Sequence, residues 1–146
     1  AGTAGAGVAA ALAALGNVAG NLAAGWLMRR GRAAEHLVVA GSLAMSGLAA
    51  AVYLVPWPWL VTVLAVLACG IGGLVPAACF ALLPRAVPSA ALVAPAVGLV
   101  IQGNNLMQLL APPGIGLLAT QSWGLAAVPL LLAGLLATLA GRSLAR

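Results

Sequence analysis

Apolar stretches of about 20 residues recur along the whole chain, separated by short polar or proline-bearing breaks. A run of that length crosses roughly 30 Å of hydrocarbon as a helix. Lipid offers no partner to a backbone N–H or C=O, so a chain that crosses it forms helices or a closed barrel. Strand-like alternation is absent, and Ala, Leu and Gly outnumber the β-branched residues, which leaves helices. Composition agrees. The chain is 64% apolar and 5% charged, with one acid, Glu35, among 146 residues. A soluble domain carries about a quarter of its residues as charges. The expected fold class is an all-α membrane protein with about five transmembrane helices.

The spans fall at about 4–27, 36–55, 60–83, 91–120 and 124–140. The basic residues occupy alternate ends of these spans. Arg29, Arg30 and Arg32 follow the first, Arg85 the third, and Arg142 and Arg146 the fifth. The breaks that begin at Pro56 and Thr120 carry no charge. A chain threading the bilayer five times would gather every arginine on one side. The positive-inside rule makes that side cytoplasmic. The C-terminus is then inside and the N-terminus outside. Trp26, Tyr53, Trp57, Trp59 and Trp123 lie at expected span ends, where amphipathic rings settle among headgroups. Phe80 falls nearer a span interior. The fourth span is long, and Pro112-Pro113 is expected to kink or break it.

No charged n-region and short apolar core mark a signal peptide. The chain opens without Met in a Gly/Ala-rich run and reads as a piece of a longer protein whose earlier spans are absent. The +5 net charge reports topology, so no nucleic-acid partner is expected. Cys69 and Cys79 stand ten residues apart on one helix, about 15 Å along its axis, too far to pair. Both are expected to pack, and no metal-ligand spacing involves them. Abundant Ala, Gly and Arg without Lys points to a high-GC bacterial source.

The run GWLMRRGRAAEH from Gly25 resembles the loop signature G-x-L-a-D-R-x-G-R-R of the major facilitator superfamily of secondary transporters. Gly25, Leu27, Arg30, Gly31 and Arg32 match with one residue deleted, and Arg29 stands where the family has Asp. Pro84 to Pro88 resembles the family's short loop before the eleventh helix. GNNLMQLLAPPGIGLL, from Gly103, resembles that helix itself. The resemblance implies that residues 1–146 are helices eight to twelve, part of a six-helix half; with the compositional hint and the arginine placement, the expected location is a bacterial inner membrane. The seventh helix and the N-terminal half would be the missing partners, and the ligand a small solute moved by alternating access. It also implies a gating role for Gly25, Arg30, Gly31 and Arg32, whose arginines would pair with neighbouring loops in one conformation and release them in another. The residues alone allow that Arg30 and Arg32 only set topology and that Gly25 only admits a neighbouring backbone. Glu35 is positioned to pair locally with Arg32, a contact worth little at a surface. His36 reads as interfacial.

Polar groups within the hydrocarbon carry the chemistry, because lipid cannot satisfy them. Asn17 and Asn21 share a face of span one. Gln102, Asn104, Asn105 and Gln108 cluster in span four, where Gln108 shares a face with Asn104 and with Asn105. These six amides either line a solute pathway or bond helix to helix. The family resemblance places the eighth and eleventh helices beside the central cavity, which favours the pathway. Gly16 and Gly20 form a small-xxx-small step suited to tight packing. Gly70, Gly72, Gly73 and Pro76 are expected to interrupt span three, as discontinuous helices do near transporter sites. Pro112-Pro113-Gly114 and Gly116 invite the same reading.

No Asp, Glu, Lys or His lies deep within a span, so no buried proton relay resides in this segment. No phosphate-binding GxxxxGK[ST] loop, nucleophile–base pair or zinc spacing occurs, which argues against an enzyme and against a cofactor. Secondary or facilitative transport of a small solute is the leading expectation. A non-transporting membrane scaffold or assembly subunit, and half of another permease family with five-helix repeats, are the alternatives. Amides of spans one and four on one concave surface would favour transport. Amides buried in tight helix contacts would favour the scaffold.

Overall fold

The computed structural model describes residues 3–144, so Arg146 lies outside the described residues. Five long helices follow in order: α1 (Thr3–Arg29), α2 (Ala34–Val52), α3 (Pro58–Ala86), α4 (Val93–Gln121) and α5 (Ala127–Leu144). Short 3₁₀ turns at Ala90–Leu92 and Trp123–Ala126 lead into α4 and α5. No strand occurs among the described residues. Each helix, with its leading turn where it has one, is long and apolar enough to cross a membrane. Leu15, Leu22, Leu99, Leu109 and Leu136 are among the many large apolar side chains that stand exposed. Water would penalise such a continuous apolar surface, whereas hydrocarbon does not. This is an all-α protein of the multi-pass membrane type.

Proline and glycine set the helix ends. Tyr53 and Leu54 tighten the close of α2 by donating to the carbonyls of Ala50 and Ala51, both at 3.0 Å. Trp57, before Pro58, is extended, the conformation that the clash with a following proline ring favours, and Pro58 occupies the first turn of α3, where its missing N–H costs nothing. Val87 is likewise extended before Pro88 and ends the same helix. The expected interruptions within spans do not occur. α3 runs unbroken through Gly70, Gly72, Gly73 and Pro76, and even Pro84 lies inside it. α4 runs unbroken through Pro112 and Pro113. A proline removes one ladder bond, and the flanking ladder bonds keep each helix continuous.

The glycines act between helices instead. A Cβ on Gly16 would stand 3.2 Å from the Val66 carbonyl oxygen, and one on Gly20 would collide with the Gly70 carbonyl. One on Gly73 would collide with the Asn17 carbonyl oxygen. The matched residue numbers rise together, so α1 and α3 run parallel in near backbone contact. α2 lies antiparallel to α3, with Gly41 against Val75 and Gly72 against Met45. α5 lies antiparallel to α2, with Gly134 against Ser46 and Gly141 against Val38 and Val39. Gly25 does not take part, because only the Arg29 guanidinium comes within 4 Å of its would-be Cβ.

The α2–α5 seam is also polar. Ser42, Ser46 and Thr138 are buried there. Thr138 Oγ1 donates to the Gly134 carbonyl at 2.8 Å and Ser46 Oγ to the Leu43 carbonyl at 3.1 Å. Ser42 Oγ, also buried, has no hydrogen-bond partner. The four helices α1, α2, α3 and α5 therefore form one packed body. None of α4's residues is buried.

With these directions, the C-terminal ends of α1, α3 and α5 and the N-terminal end of α2 meet at one end of the bundle. All the described arginines gather there. Trp57, Trp59 and Trp123 stand exposed at the opposite end and Trp26 at the arginine end, which gives two aromatic rims.

Packing at these glycines is open to direct measurement. Gly20→Ala should lower stability in detergent by about 1–3 kcal/mol through overpacking. Gly47→Ala, where a Cβ meets nothing within 4 Å, should instead raise it by up to ~1 kcal/mol from helix propensity. Thermal or SDS unfolding of the two variants reads the difference, and equal responses would refute the packing described.

Candidate functional site

Six amides are candidates, and the structure divides them. Asn17, Asn104 and Gln108, with Met45, Gly72, Val75, Pro76, Cys79, Phe80, Val100 and Ile101, line one cavity of about 410 Å³ between the packed body and α4. That volume suits a small solute. Asn104 lies 11 residues into α4 and Asn17 14 residues into α1. At 1.5 Å per residue both stand roughly 15–20 Å from their helix ends, near the middle of a span.

Gln108 follows Asn104 by four residues and Val100 precedes it by four, which fixes the stripe of α4 that meets the cavity. Gln102 lies about 160° around the helix from Asn104. Neither Gln102 nor Asn105 lines the cavity, and both are exposed. Asn104 and Gln108 make no hydrogen bond among the described residues, so their amides are free to bond a ligand. The notable feature of α1 is different. Asn21 Nδ2 donates to the Asn17 carbonyl at 2.9 Å and to Asn17 Oδ1 at 3.2 Å. Asn17 Nδ2 in turn donates across the helix contact to the Cys69 carbonyl at 3.2 Å. Asn21 therefore orients Asn17, and Asn17 both joins α1 to α3 and lines the cavity.

The cavity gains backbone polarity from proline. Pro76 has no N–H to offer the Gly72 carbonyl, and both residues line the wall. Pro112 withdraws the same bond from the carbonyl of Gln108. The two unpartnered amides by themselves give the site both donors and acceptors. Phe80, Met45, Val75, Val100 and Ile101 supply an apolar remainder, and the wall holds no Asp, Glu, Lys, Arg or His. Sequence reading missed Met45, Phe80 and the wall role of Cys79. They are apolar or weakly polar and fall on helix faces that only the packing selects. Cys69 and Cys79 are both free thiols.

The loop motif stands at the arginine end, away from this cavity. Gly31 has φ +84°, the left-handed region that favours glycine. Its N–H donates to the Met28 carbonyl at 3.0 Å, and that of Arg32 to the Leu27 carbonyl at 3.0 Å. These two bonds make a Schellman cap that ends α1. The Arg30 guanidinium stacks 3.9 Å from the Trp26 ring centroid, a cation–π contact. Glu35 does not pair with Arg32. Its Oε1 lies 3.6 Å from Arg85 Nη1, because the parallel course of α1 and α3 brings the end of α3 beside the start of α2. Arg85 is 78% exposed in its side chain, so the pair is worth little. Gly25 makes no close contact with a neighbouring helix.

No protein-family model, curated protein or solved structure matches the chain.

Gly31→Ala should cost about 1–2 kcal/mol, since a Cβ is strained in the left-handed region. Glu35→Gln should cost under ~1 kcal/mol. Thermal unfolding of both variants in one detergent ranks the cap above the ion pair.

Proposed function

We propose that this chain is the C-terminal portion of a secondary transporter of the major facilitator type, corresponding to helices eight to twelve, that moves a small solute by alternating access. The observation that carries the reading is the cavity at mid-span where Asn17, Asn104 and Gln108, from helices far apart in sequence, face one space. Transporter sites lie near the bilayer midplane at the meeting of repeats. The missing N-terminal half would close the open side of the cavity. The loop from Gly25 through Arg32, with its capped turn and cationic end, supports the same assignment. The alternate arginines support a cytoplasmic C-terminus in a bacterial inner membrane.

A non-transporting scaffold is favoured by one observation, the Asn21–Asn17–Cys69 chain of hydrogen bonds that ties α1 to α3. The amides of α4 separate the two readings, since a scaffold has no use for unpartnered amides at mid-span.

Cysteine accessibility tests the choice. In full-length protein with Cys69 and Cys79 replaced by Ala, Asn104→Cys and Gln108→Cys should react with a charged, membrane-impermeant methanethiosulfonate. Leu99→Cys and Leu106→Cys, exposed on the far side of α4, should resist it because lipid keeps the reagent out. Equal resistance at all four positions would sink the pathway. The 146-residue segment alone should show no solute uptake in liposomes, and uptake would refute the need for a second half.

A further inference from the structure

A second cavity of about 370 Å³ opens at the arginine end, between the loop after α1 and the last turns of α3. Met28, Arg32, Ala33, Ala34, Ala81 and Arg85 line it. Its wall is thus two guanidinium-bearing residues over small apolar ones. We propose that this cavity binds the headgroup of an anionic phospholipid, with the phosphate between Arg32 and Arg85 and the start of the acyl chains against Met28 and Ala81.

Charge is the first reason. Six arginines share one acid in the whole chain, and that acid, Glu35, sits beside Arg85. Arg30 is occupied by the Trp26 ring. Arg32 has no ion pair or hydrogen bond from its side chain among the described residues, so the anion that neutralises it comes from elsewhere. Glu35 touches Arg85 at 3.6 Å and leaves most of that side chain open, so Arg85 retains donors for a second anion. Guanidinium groups bind phosphate through paired N–H donors.

Backbone geometry adds to the field. The N–H groups of Gly31 and Arg32 are spent on the cap of α1. Ala33, the residue before α2, gives no side-chain cap to the opening N–H groups of that helix. Ala34, the first residue of α2, lines the cavity, so the positive end of the α2 dipole adds to the two arginines.

Position selects lipid over a free ion. The cavity lies where the span ends, at headgroup depth, and four of its six named wall residues are apolar. A free phosphate has no use for Met28, Ala33 and Ala81, whereas a glycerophospholipid has both a charged head and an apolar body. Basic pockets between helices at a membrane surface take anionic headgroups on this basis.

The test uses purified full-length protein carrying phosphatidylglycerol, with native mass spectrometry to count retained lipid and titration to give affinity. Phosphatidylglycerol should be retained in preference to phosphatidylcholine. Arg32→Gln and Arg85→Gln should each weaken it about fivefold and the double variant about thirtyfold. Arg32→Lys should restore most of the affinity, and Arg142→Gln, away from the cavity, should leave it unchanged. Ala81→Trp, which fills the cavity without touching a charge, should also displace the lipid. Three outcomes overturn the proposal. One is no preference over phosphatidylcholine, as when an acidic loop of the same polypeptide already occupies the arginines. Another is equal loss from Arg142→Gln, which marks general surface attraction. The third is full competition by millimolar inorganic phosphate, which marks a free-anion site. None of these readouts depends on transport.

Discussion

The near contact of α1 and α3 backbones at Gly16, Gly20, Gly70 and Gly73 is the interaction on which the rest of the bundle depends. In lipid, apolar side chains gain nothing by leaving one hydrocarbon for another, so helices associate through close packing and shared hydrogen bonds. Glycine permits the approach, and the approach brings Asn17 within reach of the Cys69 carbonyl. The parallel course of the two helices also sets where their ends fall. It brings Arg85 beside Glu35 and carries the cationic ends of α1 and α3 to the same level. A larger residue at Gly20 or Gly73 would disturb the seam and, through it, both cavities.

Two kinds of polar group result. In the seams, Asn21, Ser46 and Thr138 bond to backbone or to a neighbouring amide and serve cohesion, while Ser42 is held there by packing alone. Those of α4, Asn104 and Gln108, have no partner because α4 stands outside the packed body. The division follows from packing: a helix that buries none of its residues leaves its polar stripe to whatever fills the adjoining space. In the transporter reading that space holds a solute. Asn17 belongs to both kinds, since it bonds to the Cys69 carbonyl and also lines that space.

The helical class, the five spans and the gathering of arginines are legible in the sequence because hydrocarbon thickness and headgroup charge act on short, contiguous stretches. The tight step at Gly16 and Gly20 is legible for the same reason, being a spacing within one helix. The partners of those glycines are not, since Gly70 and Gly73 read equally well as helix breaks. Span interruption at Pro76 and Pro112 was the expectation that failed. Local proline chemistry frees a carbonyl, but the flanking ladder bonds keep each helix continuous. The Glu35 partner failed likewise, since sequence proximity favoured Arg32 while the fold supplied Arg85. Of the six amides, Asn104 and Gln108, four residues apart, reach the cavity wall together. That Gln102 and Asn105 stand off this wall depends on the direction from which α3 approaches α4.

The attachment of α4 is lopsided. At the tryptophan-rich end, the rings of Tyr53 and Trp123 meet at a tilt of 52° with centroids 5.2 Å apart, and the turn from Trp123 packs against α4 itself. Towards its other end α4 is held by little beyond the rim of the mid-span cavity. Regions with few buried contacts open at low free energy. The aromatic pair thus fastens the turn before α5 to the close of α2, and α4 borders the bundle without being enclosed by it.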